Sequence, residues 1–286
     1  MEKEPRKYAS ATAFRRALED RLKQLAQAER LELQNLIRTT AFDRLLARLF
    51  ARADAPWVLK GGYALELRIK EARATRDIDL ALREALGKDR GTPLNDAIFA
   101  ALGTAAATEL EDFFSFTVAP ATMDLDGAPY GGARFPIVAR LDGRTFVKFH
   151  LDVGAGDVVL GPLETTEGHD WLKFAGILPA KYPTISREQH FAEKIHAYTM
   201  PRRVPNTRFR DLVDMVLLIR MDLDLKKTAA ALAATFKRRN THPVPKKLEP
   251  PPAAWTGPFV ELAEECGLPT EIGAAYGEVE RFYSSL

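Results

Sequence analysis

The chain opens on a helical rhythm. Phe14, Leu18, Leu22 and Leu25 recur at spacings of four, four and three, and a second apolar set runs through Leu36, Phe42, Leu45 and Leu49. The pattern predicts helix from about Ser10 to Phe50, with a break near residues 26–31 left open, and Asp54-Ala55-Pro56 ends it. Between Trp57 and about Leu160 the rhythm is mixed. Trp57-Val58-Leu59 is a short apolar run that stops at Gly61-Gly62, and Tyr63 to Lys70 can form a helix after it. Asp77 to Leu82 alternates polar and apolar, as a half-buried strand does. A helix fits around Leu94–Leu102, and strands fit Phe113–Val118 and Phe135–Leu141. The clearest strand is Thr145–Val153, with Val147, Phe149, Leu151 and Val153 on one face and Lys148, His150 and Asp152 on the other.

Helical periodicity returns at Ser186. Ser186-Arg187-Glu188-Gln189 fits a capping box, and the helix it opens carries Phe191, Ile195 and Tyr198 on one side. Asn206 is a candidate cap for a helix holding Phe209, Leu212, Val213, Val216 and Leu217, and a third helix fits Lys226–Arg239. His242 to Pro252 holds five prolines and reads as a stiff linker or extended arm, with one or two short helices from Thr256 onward. These elements predict a mixed α+β protein: an N-terminal helical segment (1–55), a small mixed β-sheet core (56–160), and a helical C-terminal domain (161–286) with the proline-rich linker 242–252.

Composition adds exclusions. A single cysteine, Cys266, rules out an internal disulfide and a cysteine-based zinc cluster. The polar start MEKEPRKYAS has no apolar core of a signal peptide, and no apolar run is long enough to span a bilayer, so the expectation is a soluble cytoplasmic protein with no membrane partner. With 41 basic against 39 acidic side chains, net charge does not argue for nucleic acid. Local clusters at Arg202-Arg203, Lys226-Lys227, Lys237-Arg238-Arg239 and Lys246-Lys247 can meet phosphates or simply face water.

The candidate chemistry lies in Lys60-Gly61-Gly62-Tyr63-Ala64-Leu65 and in Arg73-Ala74-Thr75-Arg76-Asp77-Ile78-Asp79-Leu80. Residues two apart on a strand share a face, so Asp77 and Asp79 present two carboxylates side by side. Such a pair repels itself unless a cation lies between, and magnesium takes one or two carboxylates together with substrate phosphates. Glycines let a backbone approach a phosphate closely, and the helix after Gly61 and Gly62 would offer free N–H groups. Thr75, two residues before Asp77, is placed to hydrogen-bond a phosphate oxygen. Singly, a glycine pair is usually a turn and an exposed Asp-x-Asp is usually solvated; together they are more specific.

The two segments resemble the AbiEii/AbiGii toxin family, which includes the mycobacterial MenT toxins and belongs to the polymerase-β-like nucleotidyltransferase superfamily. The resemblance spans roughly residues 57–220. It implies a third carboxylate on a neighbouring strand, for which Asp152 fits and Asp157 is the second choice. It further implies a helical lysine, matched by Lys194 in Ala192-Glu193-Lys194-Ile195-His196-Ala197, and an acidic motif, matched by Asp211 in Arg210-Asp211-Leu212-Val213-Asp214. Lys194 sits at the margin of its helix's apolar face and can snorkel to water or reach a triphosphate. Asp211 either pairs with an arginine such as Arg210 or faces the active-site cleft.

The implied function is a toxin–antitoxin nucleotidyltransferase: Mg2+, or Mn2+ in its place, held by Asp77, Asp79 and Asp152; a nucleoside triphosphate held by Gly61, Gly62, Thr75 and Lys194; the 3′ end of tRNA as acceptor; and an antitoxin encoded nearby. The rival readings are an enzyme that nucleotidylates protein and a catalytically idle nucleotide-binding module. No Ser-His-Asp or Cys-His arrangement competes, and His150 and His196 lack metal-ligand spacing.

Overall fold

Ser10 starts the first helix, α1 (Ala11–Glu29), by accepting a hydrogen bond from the Ala13 amide through its side chain, and Arg30 ends it in a left-handed conformation. The break left open in the sequence thus falls just past Glu29, and α2 (Leu33–Leu49) follows. This computed structural model describes residues 7–83, 93–125, 127–202 and 208–286; the candidate cap Asn206 and the basic Arg203 lie outside them.

The strands are β1 (Trp57–Lys60), β2 (Asp77–Leu82), β3 (Phe114–Val118), β4 (Met123–Asp124), β5 (Gly132–Leu141), β6 (Arg144–Gly154), β7 (Glu164–Glu167) and β8 (Lys181–Thr184). They form one sheet in the order β3-β5-β6-β2-β1-β8-β7, with β4 paired to β5. β2 runs parallel to β6 and β5 antiparallel to it, so the sheet is mixed, as expected. The short strands β4, β7 and β8 escape the alternation pattern. The chain divides into two compact units, each assembled from separate stretches.

The first unit takes Met1–Leu59, Ala74–Gly156 and Thr165–Thr184, and so joins α1, α2 and most of the sheet with helix α4 (Leu94–Ala106). Phe14, Leu18 and Leu22 of α1 are buried with Leu36, Phe114, Leu141 and Leu172, while Phe42 of α2 meets Phe149 of β6 edge-on at 4.7 Å. Inside this unit Arg44 and Arg48 clasp Asp112, with Arg48 at 2.6 Å; all three are buried, so the carboxylate meets its charge without water.

The second unit takes Lys60–Arg73, Asp157–Glu164 and Ile185–Leu286. Its helices are α3 (Gly61–Glu66), α5 (Arg187–Thr199), α6 (Phe209–Ile219), α7 (Leu225–Arg239), α8 (Thr256–Glu265) and α9 (Ile272–Ser284), packed on a core that includes Leu65, Phe191, Leu212 and Phe259. Half of the capping box forms. Ser186 accepts from the Gln189 amide, but Gln189 does not reach back; its side chain donates to the Val158 carbonyl and accepts from the Leu160 amide, giving that stretch backbone partners. The proline-rich stretch carries neither helix nor strand before Ala253. It is pinned because Tyr276, Tyr283 and Tyr198 donate to the carbonyls of Leu248, Pro245 and Glu249, and Leu248 is buried in this unit's core.

Candidate active site

The polar–apolar alternation of β2 decides the site. Ile78 and Leu80 are fully buried, which turns Asp77 and Asp79 together onto the opposite face. Parallel pairing sets Asp77 beside His150 and Asp79 beside Asp152. Antiparallel pairing then sets Arg134 of β5 beside Asp152 on the far side. Three strands therefore carry one polar patch of three carboxylates, an imidazole and a guanidinium.

Arg134 links the patch. Its Nε and Nη2 donate to the two oxygens of Asp152 at 2.8 Å each, and Nη2 also reaches Asp77 at 3.3 Å. These hydrogen bonds to Asp152, opposed by partial burial and helped by the charges of Asp77 and Asp79, hold the guanidinium's proton more firmly than usual. His150 meets the other oxygen of Asp77 through Nδ1 at 3.3 Å. Neither Arg134 nor the His150 contact follows from the sequence, because strand register, not spacing along the chain, brings them together. Thr75 is buried and turns its hydroxyl to the Asp77 carbonyl at 3.3 Å, while its own carbonyl accepts from Arg38. Beside Asp77 an open cavity of about 540 Å³ is lined by Arg38, Arg76, Lys148 and His150, with Pro136, Ile137, Val138 and Phe149 as its apolar part. Among the described residues no group of three His, Cys, Asp or Glu side chains is arranged as a ready-made metal cage.

The other expected residues belong to the second unit. Gly61 has φ +66°, a conformation that costs glycine little, and with Gly62 it opens α3 directly from the last residue of β1. On α5, Lys194 donates to Asp211 at 2.8 Å and Asp214 at 2.6 Å, both on α6. The snorkelling alternative gives way to an ion-paired lysine. Burial opposes its charge, but the two carboxylates outweigh that and lift it to about 12. Asp211 has Lys194 and Arg208 as ion-pair partners rather than Arg210. Asp214, fully buried, accepts a bidentate pair from Arg73 at 3.0 Å as well as Lys194, and despite burial it is held down at about 2. Arg73 and Asp214 both stand inside the sequence motifs, but a separation of 141 residues hides their pairing from the sequence. Lys60, the first residue of the glycine motif, pairs with Asp157 at 2.5 Å and Glu193 at 3.3 Å, and Arg239 also holds Asp157. Asp157 is thus committed to two cations of its own unit.

The model of the family described as the nucleotidyl transferase AbiEii toxin of type IV toxin–antitoxin systems matches residues 44–267. The chain belongs to the AbiEii family. It is a nucleotidyltransferase toxin by that membership, which brings a nucleoside triphosphate as substrate and an antitoxin as partner. One solved structure carries the same fold, and a second is similar at a lower score. MenT4, the nucleotidyltransferase toxin Rv2826c from Mycobacterium tuberculosis H37Rv, is 17% identical with a TM-score of 0.56, over 97% of this chain and 89% of that one. JHP933 from Helicobacter pylori is 15% identical with a TM-score of 0.46, over 89% of this chain and 97% of that one. No curated protein matches this AbiEii chain significantly. No helix among its described residues is long and apolar enough to cross a membrane.

Proposed function

We propose that this chain transfers a nucleoside monophosphate from a nucleoside triphosphate to the 3′ end of tRNA, blocking translation until its antitoxin intervenes. The acceptor hydroxyl oxygen bonds the α-phosphorus, the bond to pyrophosphate breaks, and the hydroxyl proton leaves to a carboxylate or water. The observation that carries the reading is the carboxylate pair Asp77 and Asp79 on one face of β2, with Asp152 beside Asp79 on β6.

These hard oxygen donors fit Mg2+ or Mn2+ arriving with substrate phosphates better than an ion held by protein alone, since two carboxylates plus phosphates satisfy magnesium. The chemistry such an ion supplies when bound is neutralisation of charge on the phosphoryl oxygens. Asp77 and Asp79 would hold it. Asp152 would complete the site or accept the nucleophile's proton. Gly61, Gly62 and Thr75 are assigned to the phosphates, Lys194 to their charge, and Asp211 to orienting Lys194. The cationic cavity of Arg38, Arg76 and Lys148 beside Asp77 supports a polyanionic acceptor.

Incubation with each labelled nucleoside triphosphate, Mg2+ and tRNA tests this. Label on RNA is expected. Label on the protein would make the chain a protein-nucleotidylating enzyme, and no label would make it an idle nucleotide-binding module. Asp77→Ala should lower transfer at least about a hundredfold, the scale of losing one electrostatic group in a transition state, with an unchanged melting temperature. Transfer that survives this substitution would overturn the assignment.

A further inference from the structure

Carboxylates gathered on a strand face need a counter-charge, and here the chain provides one of its own. Arg134 meets both oxygens of Asp152 in the planar fork geometry that guanidinium and carboxylate share, and it extends to Asp77. Its backbone position, directly across from Asp152 in the β5–β6 ladder, matches the carboxylate that it forks. The ladder is tight at that end: Gly132, two residues earlier and on the same face of β5, pairs with Gly154, and a Cβ there would fall 2.1 Å from the Val153 carbonyl. A divalent cation that uses Asp77 and Asp152 therefore competes with a guanidinium already in place.

We propose that Arg134 is a displaceable internal counter-cation of this face, which keeps divalent-ion affinity low until a nucleoside triphosphate offers its guanidinium another anionic partner. This rests on the metal-dependent reading above. A guanidinium released from a carboxylate fork suits a phosphate fork equally well. Triphosphate and ion then assist one another, because each supplies what the other's arrival displaces. A hydrogen bond to a charged group is worth roughly a factor of ten or more in affinity, which sets the size of the coupling.

The test is Mn2+ binding to the full chain by electron paramagnetic resonance, with and without a non-hydrolysable nucleoside triphosphate analogue. In the unaltered chain the analogue should tighten Mn2+ binding about tenfold or more. Arg134→Gln should bind Mn2+ about tenfold tighter without the analogue, and the analogue's effect should shrink. Arg134→Lys keeps the charge but not the fork, and should behave like Arg134→Gln. Arg140→Gln, a β5 control whose partner is Thr117, should change nothing. If Arg134→Gln tightens binding and Arg134→Lys does not, a general charge effect replaces the fork and the proposal fails. It fails equally if Arg134→Gln, with a native melting temperature, binds Mn2+ no tighter. The metal-dependent reading fails separately, by the absence of Mg2+-dependent transfer in the unaltered chain.

Discussion

Two aspartates three residues apart on α6 make different predictions. Asp214 is fully buried and is shared by Arg73 and Lys194. Asp214→Ala takes the bidentate carboxylate from Arg73 and one of two carboxylates from Lys194, and breaking a buried pair costs about 3–5 kcal/mol. Asp211 shares Lys194 with Asp214 and meets Arg208, whose side chain is partly exposed. Asp211→Asn leaves Lys194 its second partner, so a loss of about 1–2 kcal/mol is expected, with transfer activity falling far more than stability. Urea midpoints of the two variants decide the matter; equal destabilisation would refute the division of labour. At this scale the sequence reveals residue types but not their partners. Asp77 and Asp79 follow from alternation, and Lys194 and Asp211 from a resemblance. Arg134 lies 18 positions from its carboxylate and Arg73 lies 141 from Asp214, separations that only the folded chain closes.

Elements with a strong local period are legible, and those that depend on a neighbour are not. β2, β5 and β6 announce themselves because each buries one face, whereas β7 and β8 are four residues each and β4 only two, too short for alternation to register. The α5–α6 charge cluster carries a pH prediction. Asp214 is depressed from 3.8 to about 2, so its stabilisation is complete above 3.8 and is lost as pH falls towards 2. Lys194 is raised from 10.5 to about 12, so its share is complete below 10.5 and is lost as pH rises towards 12. The acid limb of stability against pH should therefore be shallower in Asp214→Asn; an unchanged slope would count against the cluster. Strand geometry carries another. Gly132 has φ +144° and no room for a Cβ, so Gly132→Ala should lose about 1–3 kcal/mol or more. Gly103, exposed on α4 with nothing within 4 Å of a built Cβ, should gain about 0.5–1 kcal/mol as Gly103→Ala. Thermal midpoints of the pair should move in opposite directions.

At the scale of the whole chain, the second unit is not a C-terminal half that could be cut free. Residues 185–286 supply most of its helices, but Lys60–Arg73 and Asp157–Glu164 supply the charges that complete them. Without Arg73, buried Asp214 loses its bidentate partner. Without Lys60 and Asp157, Glu193 loses its lysine and Arg239 its nearest carboxylate, and the two keep only their own 3.6 Å pair. Leu65 and the Val158 and Leu160 bonds to Gln189 go as well. Asp214 keeps Lys194, but weakening buried pairs costs several kcal/mol where a domain's whole stability is only about 5–15 kcal/mol, so these losses together are large on that scale. A fragment of residues 161–286 should therefore show helical circular dichroism without a cooperative melt. Joining residues 60–73 to its N-terminus through a flexible linker should restore at least part of the transition, because Arg73, Lys60 and Leu65 return together. A cooperative melt in the unaided fragment would mean that the buried ion pairs around Asp214 and Glu193 contribute little to stability.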